Sequence, residues 1–336
     1  MNLLYPVPTL RNSQWDIAVK SIPALKRTHY FRIDIPVAGD APKDIIGIYE
    51  YGYPVRKNNR NSWPLYIAKV GQKWYPMESV TEHLMNRIGE VIGVNMATSK
   101  LLIINGQLRF LSRYFLKKGE SLVHGAEIYA GFIEDSDMER VHGIEKEGLS
   151  RNFFTFQFTT EAILSMFPEE GQQLLEEFVK LLVFDAITGN NDRHFYNWGV
   201  IAPVSSKATV RFSPVYDTAR GLFWNETEEQ LAGYLKNKSL LDARLYKYAV
   251  QSRPKTGWDG LENINHFDLI HKISQSNPRY SIICKELIKD QGSNIHRLID
   301  KEFALLLSPC RKTLIKKLLT IRLNILTENI VTLHKP

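Results

Sequence analysis

The spacing of apolar positions changes along the chain. Residues 28–70 contain short runs, THYFRIDIPV, IIGIYEYGY and PLYIAKV, rich in β-branched and aromatic residues and separated by polar punctuation. That is the pattern of strands. Between the last two lies PVRKNNRNSW, a basic, Asn-rich stretch with turn chemistry. The period then lengthens. In ESVTEHLMNRIGEVI, residues 78–92, Val80, Leu84, Ile88 and Val91 or Ile92 fall on one helical face, and Gly93 follows as the residue that ends the helix. KLLIING and QLRFLSRYFL return to strand character and predict a hairpin turning at Asn105-Gly106.

Farther on the pattern is mostly helical. GQQLLEEFVKLLVFDAITG carries the apolar stripe of a buried helix. WGVI and ATVRF are short strand candidates, and helices dominate from about residue 226. LIKKLLTIRLNILTENIVTL repeats Leu and Ile at three- and four-residue spacing, which predicts a terminal helix facing the core. The expected fold class is α+β. Residues 1–116 form a sheet-rich N-lobe, an antiparallel sheet plus one helix, and residues 117–336 form a mainly helical C-lobe. No internal repeat or low-complexity tract interrupts this division.

Composition narrows the picture. The 336 residues are 44% hydrophobic and 24% charged, ordinary for a globular protein with a sizeable core. Forty-three basic against 36 acidic residues give +7, which suits an anionic ligand and does not demand nucleic acid. Direct nucleic-acid binding is not expected, since no basic helix-turn-helix signal is present. Cys284 and Cys310 are too few for a disulfide framework or a zinc site. No apolar run reaches the roughly 18 residues of a membrane span, and the start, MNLLYPVPTL, lacks the regions of a secretory signal. A cytoplasmic location without membrane association is the expectation.

The chemistry concentrates in FDAITGNNDRHFYNWGVI, residues 184–201, and SPVYDTARGLF, residues 213–223. Asp192 and Asn197 lie five residues apart in an Asn- and Gly-rich loop, and Asp217 follows 20 residues after Asn197. Phosphoryl transfer from a nucleotide needs a carboxylate to orient or deprotonate the attacking hydroxyl, and hard oxygen ligands to hold Mg²⁺ against the phosphates. One carboxylate, one amide oxygen and a second carboxylate on adjoining loops meet that need, in the order found in protein-kinase catalytic and metal-binding loops.

GNNDRHFYN followed by SPVYD resembles the HipA-like serine/threonine kinase family. The Asp-Arg-His run is also similar to the catalytic loop of phosphatidylinositol kinases. The resemblance implies a bilobal protein-kinase-like fold using ATP and Mg²⁺. It implies Asp192 as catalytic base, His194 as a structural or charge-stabilising member of the catalytic loop, and Asn197 and Asp217 as metal ligands. Lys69, at the end of the PLYIAKV strand, is placed to reach the phosphates, and Glu82 fits the family's helix pattern as its ion-pair partner, with Glu78 competing. Arg113-Tyr114 looks like the family's linker pair, so that backbone from Ser112 to Leu116 would meet the adenine edge.

The chain departs from other nucleotide-binding patterns. Neither a Gly-x-Gly-x-x-Gly loop nor a Walker loop is present. Residues 51–63 are expected to cover the phosphates instead, with Arg56, Lys57 and Arg60 as contacts and Ser62 as a candidate autophosphorylation site. By the same resemblance the substrate is a protein, a translation component in some family members, and the partner a small helix-turn-helix antitoxin. The competing readings are a lipid kinase of the phosphatidylinositol type and a non-catalytic kinase fold that binds nucleotide.

Overall fold

The structure, a computed structural model, describes residues 21–34, 43–71, 77–204 and 209–331. A five-stranded antiparallel sheet, in the order β1-β2-β3-β5-β4, is built from β1 (Tyr30–Ile33), β2 (Lys43–Ile48), β3 (Leu65–Lys69), β4 (Ser99–Ile104) and β5 (Gln107–Arg113). Helix α1 (Glu78–Val91) crosses between β3 and β4 in sequence. The hairpin turns where expected. Asn105 and Gly106 both have positive φ, +51° and +75°, the pair that a two-residue turn matched to strand twist requires.

The remainder is helical around a second, smaller sheet of β6 (Glu120–His124), β7 (Gly199–Pro203) and β8 (Arg211–Phe212). Its helices are α2 (Gly125–Phe132), α3 (Glu139–Lys146), α4 (Ser150–Phe153), α5 (Phe156–Met166) and α6 (Gly171–Thr188). They continue with α7 (Glu228–Lys236), α8 (Lys238–Val250), α9 (His266–Ser276), α10 (Pro278–Ile288), α11 (Gln291–Glu302) and α12 (Pro309–Val331). Strand β6 has no alternating pattern of its own; its pairing with β7 defines it. Among the described residues no helix is long and apolar enough to cross a membrane.

One hydrophobic cluster runs through both parts. Val80, Leu84, Met85 and Ile88 of α1 are fully buried, and they belong to the same cluster as Phe178, Leu182 and Phe184 of α6. The backbone continues this connection. Ala97 N donates to Val215 O at 2.8–2.9 Å spacing shared with the return bond, in which Val215 N donates to Asn95 O. The chain leaving α1 is therefore hydrogen-bonded to the segment two residues ahead of Asp217.

Register places one expected loop at the wrong end of the sheet. Lys69 is the last residue of β3, and its antiparallel partner is Lys43, the first residue of β2. Residues 49–64, which join β2 to β3, therefore leave the sheet a strand length from Lys69, about 16 Å at roughly 3.3 Å per residue. Residues 51–63, with Arg56, Lys57 and Arg60, thus follow the opposite end of the strands from Lys69, contrary to the expectation that they share its site. The Ser62 hydroxyl is a turn-forming group there, donating to Asn59 O at 2.7 Å and accepting from Arg56 N at 2.8 Å.

Helix α1 also carries an acid-sensitive group. His83 hydrogen-bonds Ser99 Oγ at 2.9 Å, and burial, with help from Arg87 and against Glu302, lowers its pKa from 6.5 to about 4. Fully buried His266 is lowered by burial in the same direction. The neutral forms belong to the fold, so their stabilisation is complete above pH 6.5 and is lost as pH falls toward 4. For His83 the part lost by pH 5.0 is on the order of 2 kcal/mol. Urea unfolding at pH 7.5 and 5.0 is expected to show the loss, and His83→Gln to reduce it; equal stability at both pH values would contradict the assignment.

Candidate active site

Helix α6 ends on Gly189, whose φ of +70° is left-handed and whose position leaves only 3.3 Å between a built Cβ and the Arg322 guanidinium. The chain then enters the Asp192 loop, which is organised by Arg193. Its guanidinium grips Asp185 of α6 with two contacts, 3.0 and 3.2 Å, and both side chains are 2% exposed. Arg193 Nη1 also donates to Asn197 O and to Tyr216 O, each at 2.7 Å. One buried cation thus fastens the Asp192–Asn197 loop to the segment carrying Asp217. Asn190 completes Asp185 with a 2.8 Å bond. Burial pushes Asp185 up, with Arg193 opposing it.

Asn197 is oriented by its surroundings. Its Nδ2 donates to Asp192 O at 2.9 Å, and a backbone carbonyl accepts only, so the amide cannot be turned over. The same nitrogen lies 3.0 Å from His194 Nε2. With Nδ2 turned to Asp192 O, the amide oxygen is the end left to meet a cation. Burial lowers the His194 pKa, against the pull of Asp192, which favours the neutral ring; its Nδ1 accepts from Tyr196 N at 3.3 Å. Asp192 itself is 39% exposed and 3.7 Å from Arg220, which also approaches Glu78 at 3.8 Å and covers the Trp224 ring at 4.0 Å.

On the five-stranded sheet, Lys69 Nζ lies 2.7 Å from Glu82 Oε1 and 3.0 Å from Asp217 Oδ1. Glu82, not Glu78, is therefore its helix partner. Lys43 approaches the other oxygen of Asp217 at 3.7 Å. Burial would lower Lys69, but Glu82 and Asp217 outweigh it and hold the ammonium above its ordinary range. Burial pushes Asp217 up, yet Lys69 and Lys43 prevail and bring it to about 2. Asp217 has a φ of +55°, and Leu222 and Phe223 after it also have positive φ, +51° and +60°, unusual for bulky residues. Arg311 of α12 holds that segment, donating to Phe223 O and Glu226 O at 2.9 and 2.6 Å while pairing with Glu228 at 2.7 Å.

The linker is less committed. The Arg113 and Tyr114 amides donate to Thr98 O and Leu65 O, so both are spent inside the sheet. Arg113 is exposed, Tyr114 is 38% exposed and Leu116 is half-buried. Phe115, between them, packs its ring 5.9 Å from that of Tyr216.

The sequence reading did not single out Arg193, Asp185, Lys43 or Arg311. Arg193 stands inside the quoted Asp-Arg-His run, a signal that was present. Lys43 is recognisable only once the strand register is known.

Asn197 and Asp217 offer hard oxygen donors on neighbouring loops, which fits Mg²⁺ sharing its shell with phosphates. Among the described residues no three His, Cys, Asp or Glu side chains cluster into a self-sufficient metal site. ATP and Mg²⁺ together fit the donor set better than a dedicated protein cage.

The family model for the HipA-like C-terminal domain matches residues 35–287. The chain belongs to the HipA-like family. Among solved structures, this HipA-like chain is similar to the proinflammatory kinase CtkA of Helicobacter pylori, with a TM-score of 0.69 and 18% identity, covering 93% of this chain and 99% of that one. It also matches HipA in the Shewanella oneidensis HipA, HipB and operator DNA complex, with a TM-score of 0.49 and 12% identity over 91% of this chain and 73% of that one. No curated protein matches the sequence. The CtkA likeness shows that this HipA-like chain has the kinase-like fold, with its sheet-rich part first and its helical part second.

Proposed function

We propose that the protein is an ATP-dependent serine/threonine protein kinase of the HipA type. The observation that carries the reading is Lys69 held between Glu82 and Asp217, with Arg193 tying the Asp217 segment to the loop of Asp192 and Asn197. In this reading Lys69 binds the nucleotide phosphates and Glu82 keeps it aimed. Asn197 and Asp217 hold Mg²⁺, which when bound spreads the charge of the phosphates. Asp192, the most exposed of these carboxylates, accepts the proton of the attacking hydroxyl. His194 and Arg193 fix the loop on which Asp192 and Asn197 sit. By family membership the reading extends to a growth-arrest toxin with a small helix-turn-helix antitoxin and a substrate among translation components.

Labelled ATP and Mg²⁺, incubated with the protein and either a bacterial lysate or phosphoinositide vesicles, test this. Label on protein seryl or threonyl groups is expected. Label on the vesicles alone would move the substrate class to lipids, and no transfer to either would leave a nucleotide-binding module.

A further inference from the structure

The Asp192 loop alternates in burial. Arg193, Phe195 and Asn197 are buried, whereas Asp192, His194 and Tyr196 stay open to solvent. A substrate that brings a hydroxyl to Asp192 approaches from this open side. Helix α3 is docked there. His142 shares a 2.5 Å hydrogen bond with the Tyr196 hydroxyl, and the two rings stack with centroids 6.2 Å apart, inclined by 21°. Glu145 follows His142 by three residues, so the two side chains are neighbours on one helical face. Its charge reaches the loop. Burial lowers His194, and Glu145 is among the acids that oppose it; burial raises Tyr196, and Glu145 adds to it.

The nearby acids differ in what the fold asks of them. Asp135 caps α3, accepting from Arg140 N and Val141 N at 2.9 and 3.1 Å. Glu127 of α2 accepts from His124 N at 2.7 Å. Glu145 is exposed, and among the described residues its carboxylate has no hydrogen-bond or ion-pair partner. The surrounding stretch, residues 134–147, carries six acidic and two basic side chains in a chain of net charge +7. An unpaired carboxylate beside the hydroxyl-accepting residue attracts cationic groups and repels anionic ones.

We propose that Glu145 is a specificity-determining residue, selecting protein substrates with a lysine or arginine close in sequence to the phosphorylated serine or threonine. The proposal rests on the protein-kinase reading above. Incubating the full chain with Mg-ATP and a phosphatase-treated bacterial lysate, then mapping the phosphorylated sites by mass spectrometry, tests it. Lysine and arginine are expected within three residues of the modified sites about 3- to 5-fold more often than around unmodified serines and threonines, the size of one exposed ion pair. Raising the salt to about 0.5 M is expected to erase the preference by screening. Glu145→Gln removes only a charge that opposes burial at His194, so the neutral ring and its loop are kept. It is expected to abolish the enrichment while sites without a basic neighbour are modified as before. Glu145→Lys is expected to exchange the enrichment for one in aspartate and glutamate, with urea midpoints of both variants unchanged. Sites without basic enrichment in the wild type, enrichment that survives Glu145→Gln, or an equal fall at all sites would overturn the assignment while leaving the kinase reading intact. A wild-type protein that modified no site would remove both.

Discussion

Asp192→Asn is expected to lower turnover about 10²- to 10⁴-fold, the range for removing a positioned general base, and to leave the fold and nucleotide binding nearly unchanged. The two effects separate because of how Asp192 is held. Its side chain is 39% exposed, and its nearest ion partner, Arg220, is 3.7 Å away. Arg220 keeps its contacts with Glu78 and Trp224 when that partner becomes neutral. What Asp192 supplies to the rest of the site is its backbone carbonyl, which receives Asn197 Nδ2, and the substitution preserves it. Asn197 should therefore stay in place, and kcat should fall while KM for ATP moves by less than about 3-fold. Steady-state kinetics beside a urea titration would check both halves. Retained turnover would take the base role from Asp192, and a large loss of stability would mean that the residue is structural.

Arg193→Ala is expected to have the opposite profile, destabilising the protein by about 3–5 kcal/mol, the cost of stranding one partner of a buried ion pair. Asp185 would be left 2% exposed with only Asn190 to satisfy it, and the Asn197 and Tyr216 carbonyls would lose their shared donor. Against a total stability of about 5–15 kcal/mol, that is a large share. Replacing the pair together, Asp185→Leu with Arg193→Met, is expected to recover part of the stability but not activity, since the two loops would no longer be tied. Urea midpoints for the single and double variants read this directly. A single variant within about 1 kcal/mol of wild type would show that the pair is not what fixes the loops.

Much of this protein was legible as local pattern. The α1 stripe, the Asn105-Gly106 turn and the α6 stripe are each set by residues near one another in sequence, and each element forms where its spacing says. The Asp192, Asn197 and Asp217 pattern lies within 26 residues, so chemistry and order could be recognised together. The features that were missed depend on distant partners. Residues 51–63 look like an anion-binding loop because they are basic and rich in turn formers. Whether they reach Lys69 is decided by antiparallel pairing of β2 with β3, which puts the loop and the lysine at opposite strand ends. Arg311 and Arg322 stand in a run of Leu and Ile that reads as plain core. They are fully buried because their guanidiniums meet backbone carbonyls: Phe223 and Glu226 for Arg311, and Ala186, Tyr248 and Ala249 for Arg322. The last three lie in the final turns of α6 and α8, where unsatisfied carbonyls and the helix dipole favour a cation. No sequence window contains both such an arginine and its acceptors.

The bonds between Asn95–Ala97 and Val215 bear on how the proposed kinase can be silenced. Many kinases are switched off by swinging outward the helix that carries the lysine's glutamate. Here that helix runs into a stretch stitched to the Asp217 segment, and Arg87 on its outer side is clasped to Glu302 of α11 at 2.9 Å. Glu82, Lys69 and Asp217 are geared to travel together. An inhibitor of this protein should accordingly work by plugging the cleft or covering its mouth, not by prying the helix loose.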